Sequence, residues 1–258
     1  MKHNPRKRFG QHFLTDQTVI AEIVAAIRPR PDDVMVEIGP GLGALTTPLA
    51  AALRHLHVIE IDRDIVAHLR RSYAPAQLSV HAGDVLEFDF AALPRALRVV
   101  GNLPYNISTP LLFHLANYAE RILDMHFMLQ KEVVERMVAT PGGSDYGRLS
   151  VMLQTRFDME LLFEVAPESF SPPPQVDSAV VRLRPRPRDS LAVVSETGLA
   201  NVVRCAFSQR RKTLRNSLSG LLEADDYAAL GISPGLRAEN LTVADFAAIS
   251  NYLENKGK

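Results

Sequence analysis

Apolar and polar residues along the chain form two kinds of pattern that alternate. Short, nearly continuous apolar runs are followed by stretches in which apolar residues recur at helical spacing. The short runs predict strands, in chain order, at residues 34–38, 57–62, 78–81, 97–100, 125–129, 161–165 and 176–183. Because strands that alternate with helices pair in parallel, the sequence predicts an α/β fold in which the early strands end at one edge of the sheet.

The pattern changes after Pro185-Arg-Pro-Arg188, which is typical of a linker. Beyond the linker only helical spacing is found, at residues 198–206, 211–222, 225–230 and 242–252. Thr242 and Asp245 predict a capping box at the start of the last of these helices. The sequence therefore predicts two domains, an α/β domain at residues 1–187 and a small helical domain at residues 188–258.

Glycine and acidic residues follow the first predicted strands. In Gly39-Pro-Gly-Leu-Gly43 the third glycine comes too early for the dinucleotide fingerprint, and no Lys-Ser/Thr pair follows to make a phosphate loop. Glu37, just before this loop, favours a ligand that carries positive charge. Glu60 ends the second strand and can accept the ribose hydroxyls of an adenosine-type cofactor. Asp84 either accepts from an adenine amino group or is an ordinary turn residue.

The fourth strand ends in Gly101-Asn-Leu-Pro-Tyr105. Asn102 supplies an amide with one acceptor and two donors, Pro104 stiffens the turn, and Tyr105 supplies a flat ring. Together they can hold a nucleobase by stacking and an edge hydrogen bond; the simpler interpretation is a strand that ends in a proline turn with a packed tyrosine. Since open α/β sheets bind ligands where their strands end, the glycine loop, the two strand-end acids and Asn102 are expected to converge.

Charge is segregated along the chain, although the formal net charge is zero. Residues 1–12 and 201–219 carry basic side chains and no acid, and arginines alternate at positions 182, 184, 186 and 188. Three such segments favour a surface that binds a polyanion such as nucleic acid over ordinary surface charge.

Several features indicate the class of protein. The chain has one cysteine, Cys205, and no apolar run of 18 residues, and its basic N-terminus lacks the apolar core of a secretory signal. These features predict a cytoplasmic protein without a membrane span. The histidines are scattered, so no metal site is expected.

Glu37-Ile-Gly-Pro-Gly-Leu-Gly43 and Asn102-Leu-Pro-Tyr105 together resemble the motifs of S-adenosylmethionine-dependent rRNA adenine N6-dimethyltransferases, the rRNA adenine dimethylase family. The resemblance extends in the right order over nearly the whole chain, through residues 8–14, 146–151, 170–176 and 207–214. It is strongest to the KsgA (RsmA) type. That type dimethylates two adjacent adenosines in the 3′-terminal hairpin loop of 16S rRNA during small-subunit biogenesis.

The resemblance implies a Rossmann-like seven-stranded sheet whose last strand is antiparallel, with a small all-helical C-terminal domain. It implies that S-adenosyl-L-methionine is held by His12, Leu14, Gly39, Gly41, Glu60, Asp84 and Asn102. It implies a target adenine bound at Asn102, Leu103, Pro104 and Tyr105 and stacked on Tyr105 and Phe170. His12 stands where the family often has asparagine. RNA phosphates are expected at Arg6, Lys7, Arg8, Arg210, Arg211, Lys212 and Arg215.

The expected partner is 16S rRNA in the small ribosomal subunit, and the default expectation is a monomer. Other functions remain open on the same sequence. A large-subunit rRNA dimethyltransferase of the antibiotic-resistance type would use the same motifs. A DNA adenine methyltransferase is disfavoured by Leu103, where a second proline is usual, and by the lack of a target-recognition domain. A catalytically silent ribosome-assembly factor is disfavoured by the intact motifs.

Overall fold

The structure is a computed structural model that describes residues 12–105, 107–187 and 191–256 of the 258-residue chain. Arg6, Lys7 and Arg8, which are expected to bind RNA, lie outside the described residues. Contacts divide the chain into two compact units, Met1–Val134 with Met159–Pro185 and Glu135–Asp158 with Arg186–Lys258. The first unit ends close to the expected boundary at residue 187. The second unit also includes Glu135–Asp158, which the sequence pattern assigned to the α/β domain.

The strands supply a seven-stranded sheet and a short two-stranded one. They are β1 (Phe13–Leu14), β2 (Val34–Ile38), β3 (Leu56–Glu60), β4 (Leu78–Ala82), β5 (Leu97–Asn102), β6 (Ile122–Gln130), β7 (Phe157–Val165), β8 (Phe170–Ser171) and β9 (Ser178–Pro185). The large sheet has the order β4-β3-β2-β5-β6-β9-β7. The pairs from β4 to β6 are parallel and β9 is antiparallel to β6. The expected seven-stranded sheet with an antiparallel last strand is confirmed.

The inner strands are apolar because both of their faces are buried. Met35, Val36, Val58, Val99 and Val100 are all 0% exposed. Strands covered on both faces carry continuous apolar runs instead of alternating ones, which explains the pattern in the sequence. Their parallel pairing brings the ends of β2, β3, β4 and β5 to one edge of the sheet.

Helices connect the strands and form the C-terminal part of the chain. They are α1 (Gln17–Ile27), α2 (Thr46–Ala52), α3 (Arg63–Ser72), α4 (Ser108–Ala116), α5 (Lys131–Val138), α6 (Arg148–Gln154), α7 (Glu196–Ala206), α8 (Leu214–Ser217), α9 (Ala224–Leu230) and α10 (Val243–Lys256). Asp16 caps α1 by accepting from the N–H of Thr18 at 2.8 Å. No helix within the described ranges is long and apolar enough to cross a membrane.

The second unit has an apolar core of its own. Leu214, Phe246 and Ile249 are fully buried there, and Tyr146 and Val151 pack into the same cluster. Burial of Tyr146 and Val151 in this core explains why the segment around α6 belongs to the second unit. In the chain this segment lies between β6 and β7, which belong mostly to the first unit. The expected capping box before α10 is confirmed, because Thr242 and Asp245 exchange side-chain to backbone hydrogen bonds of 2.8 and 3.1 Å.

Candidate cofactor and base-binding site

A cavity of about 160 Å³ opens at the edge where β2, β3, β4 and β5 end. The expected residues that line it are His12, Leu14, Gly39, Gly41, Glu60, Asp84, Asn102, Leu103, Pro104 and Tyr105. The sequence placed these residues at the ends of separate elements, and the parallel sheet brings them together. Phe170 does not line this cavity.

The glycine loop after β2 forms the floor of the cavity. Gly39 and Gly41 adopt φ of 65° and 54°, in the left-handed region that favours glycine. A Cβ atom at Gly41 would lie 3.2 Å from the ring of Phe13, the first residue of β1. A side chain at position 41 would therefore be both strained and crowded, and only glycine keeps the loop backbone close to a ligand.

Glu37 is a buried acid in the cavity wall. Its side chain is 2% exposed, and Oε2 accepts a hydrogen bond from Thr46 Oγ1 at 2.7 Å. Burial raises the pKa of Glu37 to about 8, against the smaller opposing effect of the Thr46 hydrogen bond. The carboxyl is therefore mostly protonated at neutral pH.

The two strand-end acids are held by backbone N–H groups. Glu60 is 6% exposed and accepts from the N–H of Asp62 at 2.8 Å. Burial raises the pKa of Glu60, while the backbone hydrogen bonds oppose this effect. Asp84 Oδ1 accepts from the N–H of Leu86 at 2.9 Å. This contact makes Asp84 a turn residue, and its side chain also lines the cavity, so its predicted contact to an adenine amino group stays a prediction.

Asn102 is oriented by a contact across 90 residues of chain. Its side-chain Nδ2 donates to the backbone carbonyl of His12 at 3.0 Å. A carbonyl oxygen can only accept, so the amide nitrogen must face His12 and Oδ1 is left as the acceptor. The backbone of Asn102 is placed by Gly101, where a Cβ atom would lie 2.6 Å from the carbonyl oxygen of Ile38.

Tyr105 is held at its hydroxyl and along its ring. The hydroxyl shares a hydrogen bond of 2.8 Å with Ser178 Oγ on β9. The ring of His12 stacks on Tyr105 with centroids 5.9 Å apart and 23° between the planes. His12 is fixed in turn, because its Nδ1 donates to the carbonyl of Pro172 at 2.9 Å.

Phe170, which the resemblance implies stacks on the target adenine, lies in the apolar core in this structure. It is 4% exposed and packs in the apolar core of the first unit. Its strand β8 pairs with β1, with Leu14 opposite Phe170. Phe170 therefore supports the strand that carries Leu14, and the ring that faces Tyr105 in this structure is His12.

Sequence reasoning missed two apolar residues of the cavity wall. Leu42 and Ile61 are 43% and 47% exposed and lie in the glycine loop and directly after Glu60. An apolar residue in a turn, beside a strand-end acid, is a signal that could have been used. With the two acids and the glycine loop, these side chains fit a cofactor that has a ribose, a flat ring and a positive charge.

The remaining expected RNA contacts lie in the second unit. Arg210 donates to the Ser144 carbonyl and lies 3.4 Å from Glu239. Arg211, Lys212 and Arg215 are exposed and make no side-chain hydrogen bond or ion pair within the described residues. These three cations are therefore available to a ligand. No cluster of three or more potential metal ligands exists in the part of the chain that the structure describes.

Known proteins resemble this chain over nearly its whole length. The family model for ribosomal RNA adenine dimethylase matches residues 2–255. Ribosomal RNA small subunit methyltransferase A of Chromobacterium violaceum is 62% identical over 257 residues, which cover 99% of this chain and 98% of that protein.

Two solved structures share the fold over nearly the whole chain. A dimethyladenosine transferase from Plasmodium falciparum gives a TM-score of 0.82 at 27% identity, covering 95% of this chain and 98% of that one. The 23S rRNA methyltransferase ErmE gives a TM-score of 0.74 at 27% identity, covering 94% of this chain and 99% of that one.

Proposed function

The chain belongs to the ribosomal RNA adenine dimethylase family, and from this premise we propose that it dimethylates N6 of two adjacent adenosines in the 3′-terminal hairpin loop of 16S rRNA with S-adenosylmethionine. Identity of 62% to a small-subunit enzyme, against 27% to a 23S rRNA enzyme, supports this substrate over the large-subunit alternative. The enzyme acts in small-subunit biogenesis, and its proposed location is the cytoplasm, with its ribosomal substrate.

The fixed orientation of Asn102 carries the proposed catalytic role. Adenine N6 is a weak nucleophile because its lone pair is delocalised into the ring. An acceptor that draws on an N6 proton moves the nitrogen toward tetrahedral geometry and stabilises the positive charge that develops there. Asn102 Oδ1 is that acceptor in our proposal, because Nδ2 is already bound to His12.

Leu103 and Pro104 supply the second half of the acceptor pair. The N–H of Leu103 donates to the carbonyl of Met128 at 3.2 Å, which fixes the peptide on β6. The ring of Pro104 fixes its own φ angle and so limits backbone rotation directly after the Leu103 carbonyl. We propose that the carbonyl of Leu103 accepts from the other N6 proton.

The target base is proposed to stack on Tyr105. The Ser178 hydrogen bond and the His12 ring fix the orientation of the Tyr105 ring. The tyrosine side chain therefore loses little conformational entropy when the base binds. Positioning of reacting groups can supply on the order of 7–11 kcal/mol of the barrier in favourable cases.

The cavity residues fit S-adenosylmethionine, which supplies an electrophilic methyl group when bound. Glu60 is proposed to accept the ribose hydroxyls and Asp84 the adenine amino group. The backbone at Gly39 and Gly41 leaves room beside them, and Glu37 faces the positively charged end. Arg211, Lys212 and Arg215 are proposed to bind RNA phosphates around the target loop.

Methyl transfer from radiolabelled S-adenosylmethionine to unmethylated small subunits tests this function, with large-subunit rRNA in parallel. We expect label on the small subunit that digests to N6,N6-dimethyladenosine. Asn102→Ala should lower the rate about 100-fold and leave cofactor affinity largely intact. Asn117→Ala changes an exposed asparagine after α4 and is the matched control.

Three results would contradict the proposal. Label only on the large-subunit RNA would favour the resistance-type enzyme. Tight binding of subunit and cofactor without label would favour a silent assembly factor. Loss of cofactor binding in Asn102→Ala would remove its role as the base acceptor.

A further inference from the structure

Polar side chains form a row across the sheet at the edge opposite the cofactor cavity. β5 and β6 begin at this edge, and the antiparallel β9 ends there. In the strand register Arg98 lies opposite Asp124, and His126 lies opposite Arg182. Because side chains two residues apart share a face of a strand, Arg184 extends the same row.

A cavity of about 510 Å³ lies over this row. The end of α1 and the turn after it complete the cavity wall. Five arginines line the cavity, namely Arg28, Arg30, Arg98, Arg182 and Arg184, and the acids in its wall are Asp33 and Asp124. Positive side chains therefore outnumber negative ones.

Two of the arginines are neutralised by acids and build the wall. Arg98 Nε and Nη2 donate to the two oxygens of Asp124 at 2.9 Å each, and Nη1 donates to Asp33 at 2.6 Å. Arg182 forms an ion pair with Glu160 on β7. Arg98 faces two carboxylates and Arg182 faces one, so the positive net charge of the cavity comes from the other three arginines.

Arg28, Arg30 and Arg184 are exposed and make no side-chain hydrogen bond or ion pair within the residues that the structure describes. Arg28 ends α1 with φ of 52°, a conformation that residues other than glycine rarely adopt. A left-handed residue commonly ends a helix, and here the N–H of Arg28 donates to the carbonyl of Val24. The end of α1 therefore brings one unpaired guanidinium to the cavity.

His126 is an independent sign of a ligand. It is 3% exposed and lines the cavity, and neither ring nitrogen has a hydrogen-bond partner within the described ranges. The nearest carboxylate oxygen, of Asp124, lies 3.9 Å from Nδ1. Burial lowers the pKa of His126 to about 4, so the ring is neutral and offers one N–H at pH 7. Buried polar atoms are normally paired, and an oxyanion would accept from this N–H.

We propose that this cavity is a second RNA-contact site, which binds a backbone phosphate of the substrate through Arg28, Arg30 and Arg184. Guanidinium groups match phosphate oxygens in pairs, and the three free ones are exposed at the rim where a large ligand can reach them. Leu123, 57% exposed at the same rim, offers apolar surface to the sugar. The site rests on the proposed function, since rRNA is the polyanion that this enzyme must hold.

Binding of small subunits or their RNA, measured over a series of salt concentrations, tests the site. The variant R28Q/R30Q/R184Q removes three charges and keeps the side-chain stems, and glutamine is no more strained than arginine at position 28. We expect affinity at low salt to fall about tenfold and the slope of log K against log salt to become shallower by about 1, the change expected for one lost phosphate contact. Cofactor affinity should be unchanged.

The matched control R63Q/R71Q/R95Q removes three exposed arginines from the same unit. An equal loss of affinity in the control would overturn the site, because general charge would then explain the effect. Full RNA affinity in R28Q/R30Q/R184Q, with or without binding of inorganic phosphate, would also overturn it. Failure of the wild-type protein to bind or methylate small-subunit RNA would instead refute the proposed function.

A measurement on the unaltered protein covers the case in which the variant folds poorly. Dicarbonyl modification of arginines, detected by mass spectrometry with and without RNA, should show protection at Arg28, Arg30 and Arg184. Arg63, Arg71 and Arg95 should be modified equally in both samples. Equal modification of the first set with and without RNA would contradict the proposal.

Discussion

Glu37→Gln tests the buried acid of the cofactor cavity. Burial raises the pKa of this carboxyl from 4.5 to about 8, so the folded protein holds a proton that the unfolded chain loses at lower pH. This bound proton stabilises the folded state. The stabilisation is fully present below pH 4.5 and is lost as the pH rises to 8. At about 1.4 kcal/mol for each pH unit, the complete loss is about 5 kcal/mol. An amide at position 37 does not titrate.

Urea unfolding of both proteins at pH 5, 6, 7 and 8 measures this effect. The free energy of unfolding of the wild type, relative to Glu37→Gln, should fall by about 1.4 kcal/mol for each pH unit. Glu22→Gln, at an exposed glutamate of α1, corrects for the loss of one carboxylate. A difference between wild type and Glu37→Gln that does not change with pH would refute the buried, protonated carboxyl.

The same acid couples cofactor binding to proton release. A positive charge in the cavity favours the carboxylate, so at pH 7 the wild type should release up to one more proton on binding S-adenosylmethionine than Glu37→Gln does. Calorimetry in two buffers of different ionisation enthalpy measures this number. Equal proton release by the two proteins would show that Glu37 does not face the cofactor charge.

Three further substitutions test other parts of the site. Glu60→Ala should weaken cofactor binding at least tenfold in equilibrium titration, and unchanged affinity would contradict the ribose role. The double variant Arg211→Ala/Lys212→Ala should make the slope of log K for RNA binding against log salt shallower by about 1–2. An unaltered slope would show that both residues are ordinary surface charges. Gly101→Ala should cost about 3 kcal/mol of unfolding free energy, because its Cβ would lie 2.6 Å from the Ile38 carbonyl oxygen. Gly220→Ala, with open space around its Cβ, is the control.

The cofactor edge of the sheet could be predicted because each of its parts has a local signature. A glycine-rich turn after an apolar run, and acids or an amide at the ends of the next runs, need only parallel pairing to converge. Glu60, Asp84 and Asn102 all line the observed cavity for this reason.

The parts that could not be predicted depend on contacts between distant residues. A two-residue strand such as β1 is too short to show any period, so its pairing with β8 leaves no pattern. The Asn102 contact to His12 crosses 90 residues, and no local rule indicates it. Phe170 follows an ordinary aromatic-and-proline pattern, which does not say whether the ring faces the core or the cavity. The segment around α6 joined the second unit because of where Tyr146 and Val151 are buried.

The pairing of β1 with β8 has a consequence for how the enzyme is made. His12 leaves the ribosome early, but Pro172, which accepts from its ring, follows 160 residues later. At 5–20 residues per second this interval is roughly 8–30 s. During that time β2 to β5 can already present the glycine loop and the strand-end acids, whereas β1 has no partner strand and the His12 carbonyl is not fixed for Asn102. A nascent chain therefore cannot pair β1 with β8, or hold His12 against Pro172, until synthesis has passed both of these late partners.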